Sequence, residues 1–328
     1  MKKIFNAVTI VVLLLMGLPE LPAGAADFPT KPITLIIPMS AGGARDIQCR
    51  AFATVAERIL EKPVVVVNKP GASGMIGMLA GAQAAPDGYT LVGTSTSDTC
   101  ALEWEMANGR KPPVSRGDFG TLGSFTLSSA IIAVPTNSPW KTLSDLINEV
   151  KAKPGRYVFC SGGLYTFTHT AVEIFTRSVG LKARHVPYPA AGPSVSALVG
   201  NHADFSSFSV SSVMPLVQGK KLCALAVQSD RRFKHLPDVP CVKELGIDAE
   251  FHGWVGIWVP QKTSTPTVEK LREIVKKVTE DPAFIKIIET DEEVHFLNGD
   301  ELAKYIELES RKVGKLYREL IEEEKGKK

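Results

Sequence analysis

The chain has 328 residues, 44% of them hydrophobic, with 38 basic and 35 acidic side chains and a formal net charge of +3. That length exceeds what one core usually holds, so two lobes are expected, and the near-balanced charge gives no support to a nucleic-acid partner. Five cysteines, at 49, 100, 160, 223 and 241, match neither a close metal pair nor a dense disulfide framework. No metal site and no cofactor are expected; the thiols read as isolated and buried, and one disulfide remains compatible with their number.

Lys2 and Lys3 precede an apolar run from Val8 to Leu18, which ends in Ala23-Gly24-Ala25-Ala26. A positive start, a short apolar stretch and a small-residue exit mark a secretory signal peptide. Residues 1–26 are therefore expected to be removed near Ala25 or Ala26, leaving an exported, periplasmic chain. Pro19, Glu20 and Pro22 interrupt the run, which is short for a bilayer span and argues against an uncleaved anchor. No cysteine stands beside the cleavage site to carry a lipid.

Beyond the leader, strand and helix patterns alternate. Strands are predicted at Ile33–Ile37, Val64–Val67, Thr90–Gly93, Ala130–Val134, Val158–Cys160, Asp204–Phe208 and Leu222–Gln228. Ile47, Ala51, Val55 and Ile59 recur every four residues and predict one apolar face of a helix starting near Ala44. Further helices are predicted at Leu143–Lys151, Thr168–Ser178, Pro193–Val199, Thr267–Thr279 and Glu301–Glu323, the last with Asn298 and Asp300 as capping groups. The charged tail from Glu322 to Lys328 predicts fraying. This alternation means an α/β fold with largely parallel sheets, whose ligands bind where strand ends meet helix starts.

Two strand ends carry the chemistry. After Ile37 comes Pro38-Met39-Ser40-Ala41-Gly42-Gly43, and small residues there leave the N–H groups of a helix start open to an anion. An ordinary tight turn fits the same residues. Arg45 can either grip a carboxylate or sit solvated in the first turn, and Asp46 reads as a residue that shapes the loop before it reads as a ligand. Gly71, Gly74 and Gly77 are spaced three and three, which is not the dinucleotide fingerprint. Thr94–Asp98 reads as a hydroxyl-rich loop. After Cys160, Ser161-Gly162-Gly163 opens a second turn that Thr166 or Thr168 can cap. His169 reads as a hydrogen-bonded first-turn histidine, since no serine or cysteine lies in a nucleophile-elbow sequence to partner it.

Taken in order, "FPTKPITLIIPMSAGGARD", "PVVVVNKPGASGMIG", "APDGYTL", "KTLSDLINEVKAKPGRYVFCSGG", "HVPYPAAGPSVSALVGNHADFSSF", "LCALAVQSDRRFKHLPDVP" and "HGWVGIWVP" resemble the periplasmic receptors of tripartite tricarboxylate transporters. The resemblance implies a type II periplasmic-binding fold, two α/β lobes around a ligand cleft. Lobe 1 would comprise residues 27–129 and 254–328, lobe 2 residues 130–253, with crossings near Ala130–Val134 and Trp254–Val259. It implies a monomeric binding protein, not an enzyme, that hands a small carboxylate to membrane permease subunits. The ligand loops would fall on Ser40, Ala41, Gly42, Gly43, Arg45 and Asp46 in one lobe. Ser161, Gly162, Tyr165, Thr166 and Thr168 would face them from the other, with contributions from Ser95 and Ala190. The chain departs from the family pattern at Met39, where an aromatic is common, at Tyr165, which replaces a glycine, and at Tyr188–Gly192, which lacks a lysine-glycine pair. Two other roles fit the same site: a ligand-sensing subunit for a membrane signalling protein, and an exported carboxylate-modifying enzyme using His169.

Overall fold

The computed structural model describes residues 28–42, 44–290 and 292–326. The expected signal peptide and its cleavage site lie outside these residues, as does Gly43. β1 (Ile33–Ile37) leads to α1 (Ala44–Leu60), β2 (Val64–Asn68), α2 (Met75–Ala82), β3 (Thr90–Ser95) and α3 (Thr96–Ala107). A long strand, β4 (Phe119–Pro135), opens the next group: α4 (Leu143–Ala152), β5 (Val158–Ser161), α5 (Phe167–Ser178), β6 (Arg184–Pro187) and α6 (Ala191–Val199). That group ends with β7 (Ser206–Ser209), α7 (Val210–Gln218) and β8 (Leu222–Val227). The remainder comprises β9 (His252–Pro260), α8 (Thr265–Glu280), α9 (Pro282–Ile288), β10 (Val294–Asn298) and α10 (Gly299–Gly326).

β4 organises the molecule. Its first part, Phe119 to Ser129, pairs with β9, and its second part, Ala130 to Pro135, pairs with β7 and β8. The main sheet runs β10-β4-β9-β3-β1-β2, and β5 pairs with β6 separately. Among the described strands β1–β2, β1–β3 and β5–β6 pair in parallel, as do the isolated bridges Phe159–Phe205 and Val227–Cys241; the pairs made by β4 and β9 are antiparallel. The expected predominance of parallel pairing is thus corrected, because β4 and β9 run through the middle in opposite directions.

Local chemistry explains several other differences. Thr94–Asp98 is not a loop: β3 runs to Ser95 and α3 starts at Thr96, fixed by a capping box in which Ser95 and Asp98 satisfy each other's backbone N–H. The tail is helical as far as Gly326, since Ile321 is buried and Glu323 takes both amino groups of Arg177 at 2.9 Å. In α1, Ala51 and Val55 are buried as expected, but Ile47 is 54% exposed; Gln48, Cys49, Phe52 and Ala56 complete the inner face. All five cysteines are unpaired. No described helix is long and apolar enough to cross a membrane.

The core is continuous across the two lobes. One cluster joins β1, α1, β3, β9, α8 and α9 through Phe52, Phe125, Ile257 and Phe284. Another joins β4, α4 and α5 through Ile132, Leu146, Phe159 and Phe175, and it also takes in Cys100 of α3 and Val313, Leu316 and Tyr317 of α10. The first turns of α10 contribute Leu302 and Ile306 to a third cluster with Trp254 and Trp258. α10 is therefore buried against both lobes.

Candidate functional site

The first turn is built around Asp46. Met39, Ser40, Ala41 and Gly42 are exposed after the buried end of β1. Gly42, at φ +88°, adopts the left-handed backbone that glycine allows, and its N–H donates to Asp46 Oδ2 at 2.9 Å. The same carboxylate accepts from Arg50 Nε at 2.9 Å and from Asn68 Nδ2 at 2.8 Å. Burial pushes the Asp46 carboxyl up, but the hydrogen bonds from Arg50, Gly42 and Asn68 outweigh it and hold the pKa below the ordinary aspartate value. Asp46 thus shapes the loop, and its oxygens are occupied by the chain's own donors.

Arg45 is buried, not solvated. Its Nη1 reaches both oxygens of Asp98 at 3.1 and 2.9 Å, and Nη2 reaches the Ser95 hydroxyl. Ser95 also accepts from the Ser97 N–H at 3.2 Å, and its own N–H donates to Asp98 Oδ2 at 2.9 Å. Burial pushes the Asp98 carboxyl up, against the pull of the Arg45 guanidinium and the Ser95 N–H. The guanidinium ties α1 to α3 through an internal carboxylate, a partner the sequence reading did not name. The STSD spacing of Ser95 to Asp98 was the available signal.

The second turn is equally organised. Ser161 is fully buried; its hydroxyl bonds the Gly163 carbonyl at 3.0 Å and lies 2.7 Å from His185 Nε2. Gly162 N–H donates to Thr168 Oγ1 at 2.8 Å, and Thr166 caps α5 through the His169 N–H. A side chain on Gly162 would meet the backbone of Ala190 and Ala191, so the start of α6 rests directly on this glycine. Tyr165 N–H donates to His169 Nδ1 at 3.2 Å. Burial holds the His169 pKa at about 3, with His185 beside it adding to the effect, so the ring is neutral. Glu173, 3.7 Å from Nε2, therefore faces an uncharged imidazole. Buried and bonded to backbone, His169 sits as a first-turn histidine that orders the turn.

Strand register relates the two turns. Ser95 lies opposite Val255 of β9, and Val255 lies opposite Thr126 of β4. In the other lobe Phe205, just before β7, bridges to Phe159 of β5, and β7 ends with Ser209 opposite Ala130. Ser95, which Arg45 of the first turn reaches, is thus one intervening strand from Thr126 of β4, while Ser209 of β7 pairs with β4 four residues further along. The hydrogen bonds of the first turn's Arg45 and Asp46 run to Ser95, Asp98, Arg50 and Asn68. The lobes touch instead through α3, where Trp104 stacks on Tyr165 with planes 11° apart. Trp104 stands nine residues beyond Ser95, about 14 Å along the helix axis.

The comparisons agree with this architecture. A protein 33% identical over 298 residues, covering 88% of both chains, is the "UPF0065 protein in gbd 5'region" of Cupriavidus necator. The crystal structure of a TctC solute binding protein from Polaromonas is 27% identical, with a TM-score of 0.75 over 89% of this chain and 99% of that one. Two Rhodopseudomonas palustris proteins share the fold: MatC with bound malate (21% identical, TM-score 0.77, covering 88% and 100%) and a second with adipate (22%, 0.78, 88% and 98%). The family model for the tripartite tricarboxylate transporter family receptor matches residues 48–321. With two lobes joined through β4 and β9 and a glycine-opened helix start in each, the chain belongs to the tripartite tricarboxylate transporter family of solute-binding receptors.

Proposed function

We propose that this chain captures a small carboxylate between its lobes and delivers it to the membrane subunits of a tripartite tricarboxylate-type transporter. The carrying observation is the pair of glycine-opened helix starts, after β1 and after β5, in the two lobes. The bound malate and adipate of the two R. palustris proteins support an acid as guest. In this reading lobe 1 is 27–129 with 254–328 and lobe 2 is 130–253, the chain works as an exported monomer, and it catalyses no reaction. Ser40, Ala41, Gly42, Gly43, Ser95, Ser161, Gly162, Thr166, Thr168 and Ala190 line the cleft. Arg45 and Asp46 hold the first turn from behind.

With the Arg45 guanidinium committed to Asp98, backbone N–H groups and hydroxyls grip the acid, directly or through water, at little enthalpic disadvantage. The acid touches both lobes only in the closed form, so holding that form requires differential affinity for it. A few charge-assisted hydrogen bonds at about 1.5–3 kcal/mol each supply it. Isothermal titration calorimetry tests the reading with malate, adipate, citrate, butyrate, benzoate and neutral sugars. At least one acid should bind with a Kd in the micromolar range or below; a panel in which only neutral solutes bind sinks it.

A further inference from the structure

Tyr165 stands in the middle of the second turn, yet its ring is engaged by the other lobe. It stacks on Trp104 of α3 and meets Tyr317 of α10 edge-on at 5.4 Å and 80°. Trp104 and Tyr317 meet at 5.8 Å and 87°, so each of the three rings touches the other two. Tyr317 is fully buried; its hydroxyl lies 2.6 Å from Thr170 Oγ1 on α5 and 3.4 Å from the Tyr165 carbonyl. The Tyr165 backbone has φ +59°, a conformation that costs a residue with a Cβ and persists only where the surroundings enforce it. Side chain, carbonyl and N–H are each engaged, the first two by residues of α3 and α10 and the third by His169.

The geometry points to Tyr165 as an aromatic latch that holds the two lobes together before any ligand arrives, with Trp104 as the surface it closes on. This rests on the reading of its turn as half of the ligand site. Because the latch is part of that turn, opening the cleft unstacks it, and the acid enters a receptor whose resting state is already closed. Losing an aromatic pair shifts such an equilibrium about 2- to 12-fold toward the open form.

Small-angle X-ray scattering on the ligand-free protein tests this without any ligand. Wild type and Tyr165→Phe, which keeps the ring, should share one compact radius of gyration. Trp104→Ala and Tyr165→Gly should both be expanded, and Tyr165→Gly does so at a backbone position glycine tolerates, so misfolding does not explain it. With adipate as probe, stopped-flow association should accelerate in the same two variants. If both variants scatter like the wild type, the latch is refuted whether or not acids bind. If neither adipate nor any acid of the calorimetric panel binds the wild type, the ligand reading falls while the scattering still decides the latch.

Discussion

Two buried ionisable residues behave oppositely. Arg45 has the Asp98 carboxylate at 2.9 Å, whereas the Arg116 charge acts on Glu309 only weakly. Its Oε2 accepts from Trp254 Nε1 at 2.9 Å, and burial raises its pKa to about 7, against the pull of that indole and the nearby Thr96 and Thr99 hydroxyls. In the unfolded chain the same carboxyl titrates near 4.5. Between the two values the folded protein holds a proton that the unfolded chain has released. The stabilisation is therefore intact below about pH 4.5 and is lost as pH rises through 7, by about 3 kcal/mol in all. Glu309→Gln mimics the protonated form. Differential scanning calorimetry should find its Tm above wild type at pH 8 and no higher at pH 5; equal gains at both would show that Glu309 is not the titrating group.

At the scale of elements, the decisive contact is backbone against backbone. A Cβ at Gly162 would lie 2.6 Å from the Ala191 nitrogen and 2.9 Å from the Ala190 carbonyl carbon, neither of which can rotate away. Gly162→Ala should displace the start of α6, cost about 1–3 kcal/mol of stability, and lower carboxylate affinity at least tenfold, with 10-fold being about 1.4 kcal/mol. Gly192→Ala, with open space around its Cβ, should do neither. Melting curves and calorimetry on the pair check this. The sequence made the glycine turns legible because strand, small residues and capping threonine are neighbours in the chain. It also placed β1, β2, β3, β5 and β8 to within about two residues. The Arg45–Asp98 pair spans 53 positions and Trp104 meets Tyr165 across 61; the STSD spacing marks Asp98 as a capping carboxylate, but no local pattern announces its distant partner or the aromatic pair. Strand β4 was predicted only for Ala130–Val134; Gly120, Gly123 and several serines in its first part hide a strand that extends to Phe119. Short helices α2, α7 and α9 were not predicted either, for their patterns span too few turns to register a period.

Across the whole molecule, α10 is the shared element. Leu302 and Ile306 pack with Trp254 and Trp258, while Val313, Leu316 and Tyr317 pack with Phe159 and Phe175 of the other lobe. Ending the chain at Ser310 removes the second set alone. Leu→Ala changes in a core cost about 2–5 kcal/mol each, so losing Leu316, Val313 and Tyr317 together is comparable to the stability of a typical domain. The truncated protein should lose cooperative unfolding, and hydrogen exchange should be fast in α5 as well as in the remaining lobe 1 helices. Protection retained in α5 would mean that lobe 2 stands without α10.

The order in which the chain leaves the ribosome gives that helix a further effect. Most of the first 135 residues belong to sheets and cores that need β9, α8 or α10, all encoded after residue 251. The clusters that include β9, α8 or α10 cannot close while the last quarter is still unsynthesised. A polypeptide built this way completes its folding only once its C-terminus appears, which delays the final state that a translocation pore could not pass.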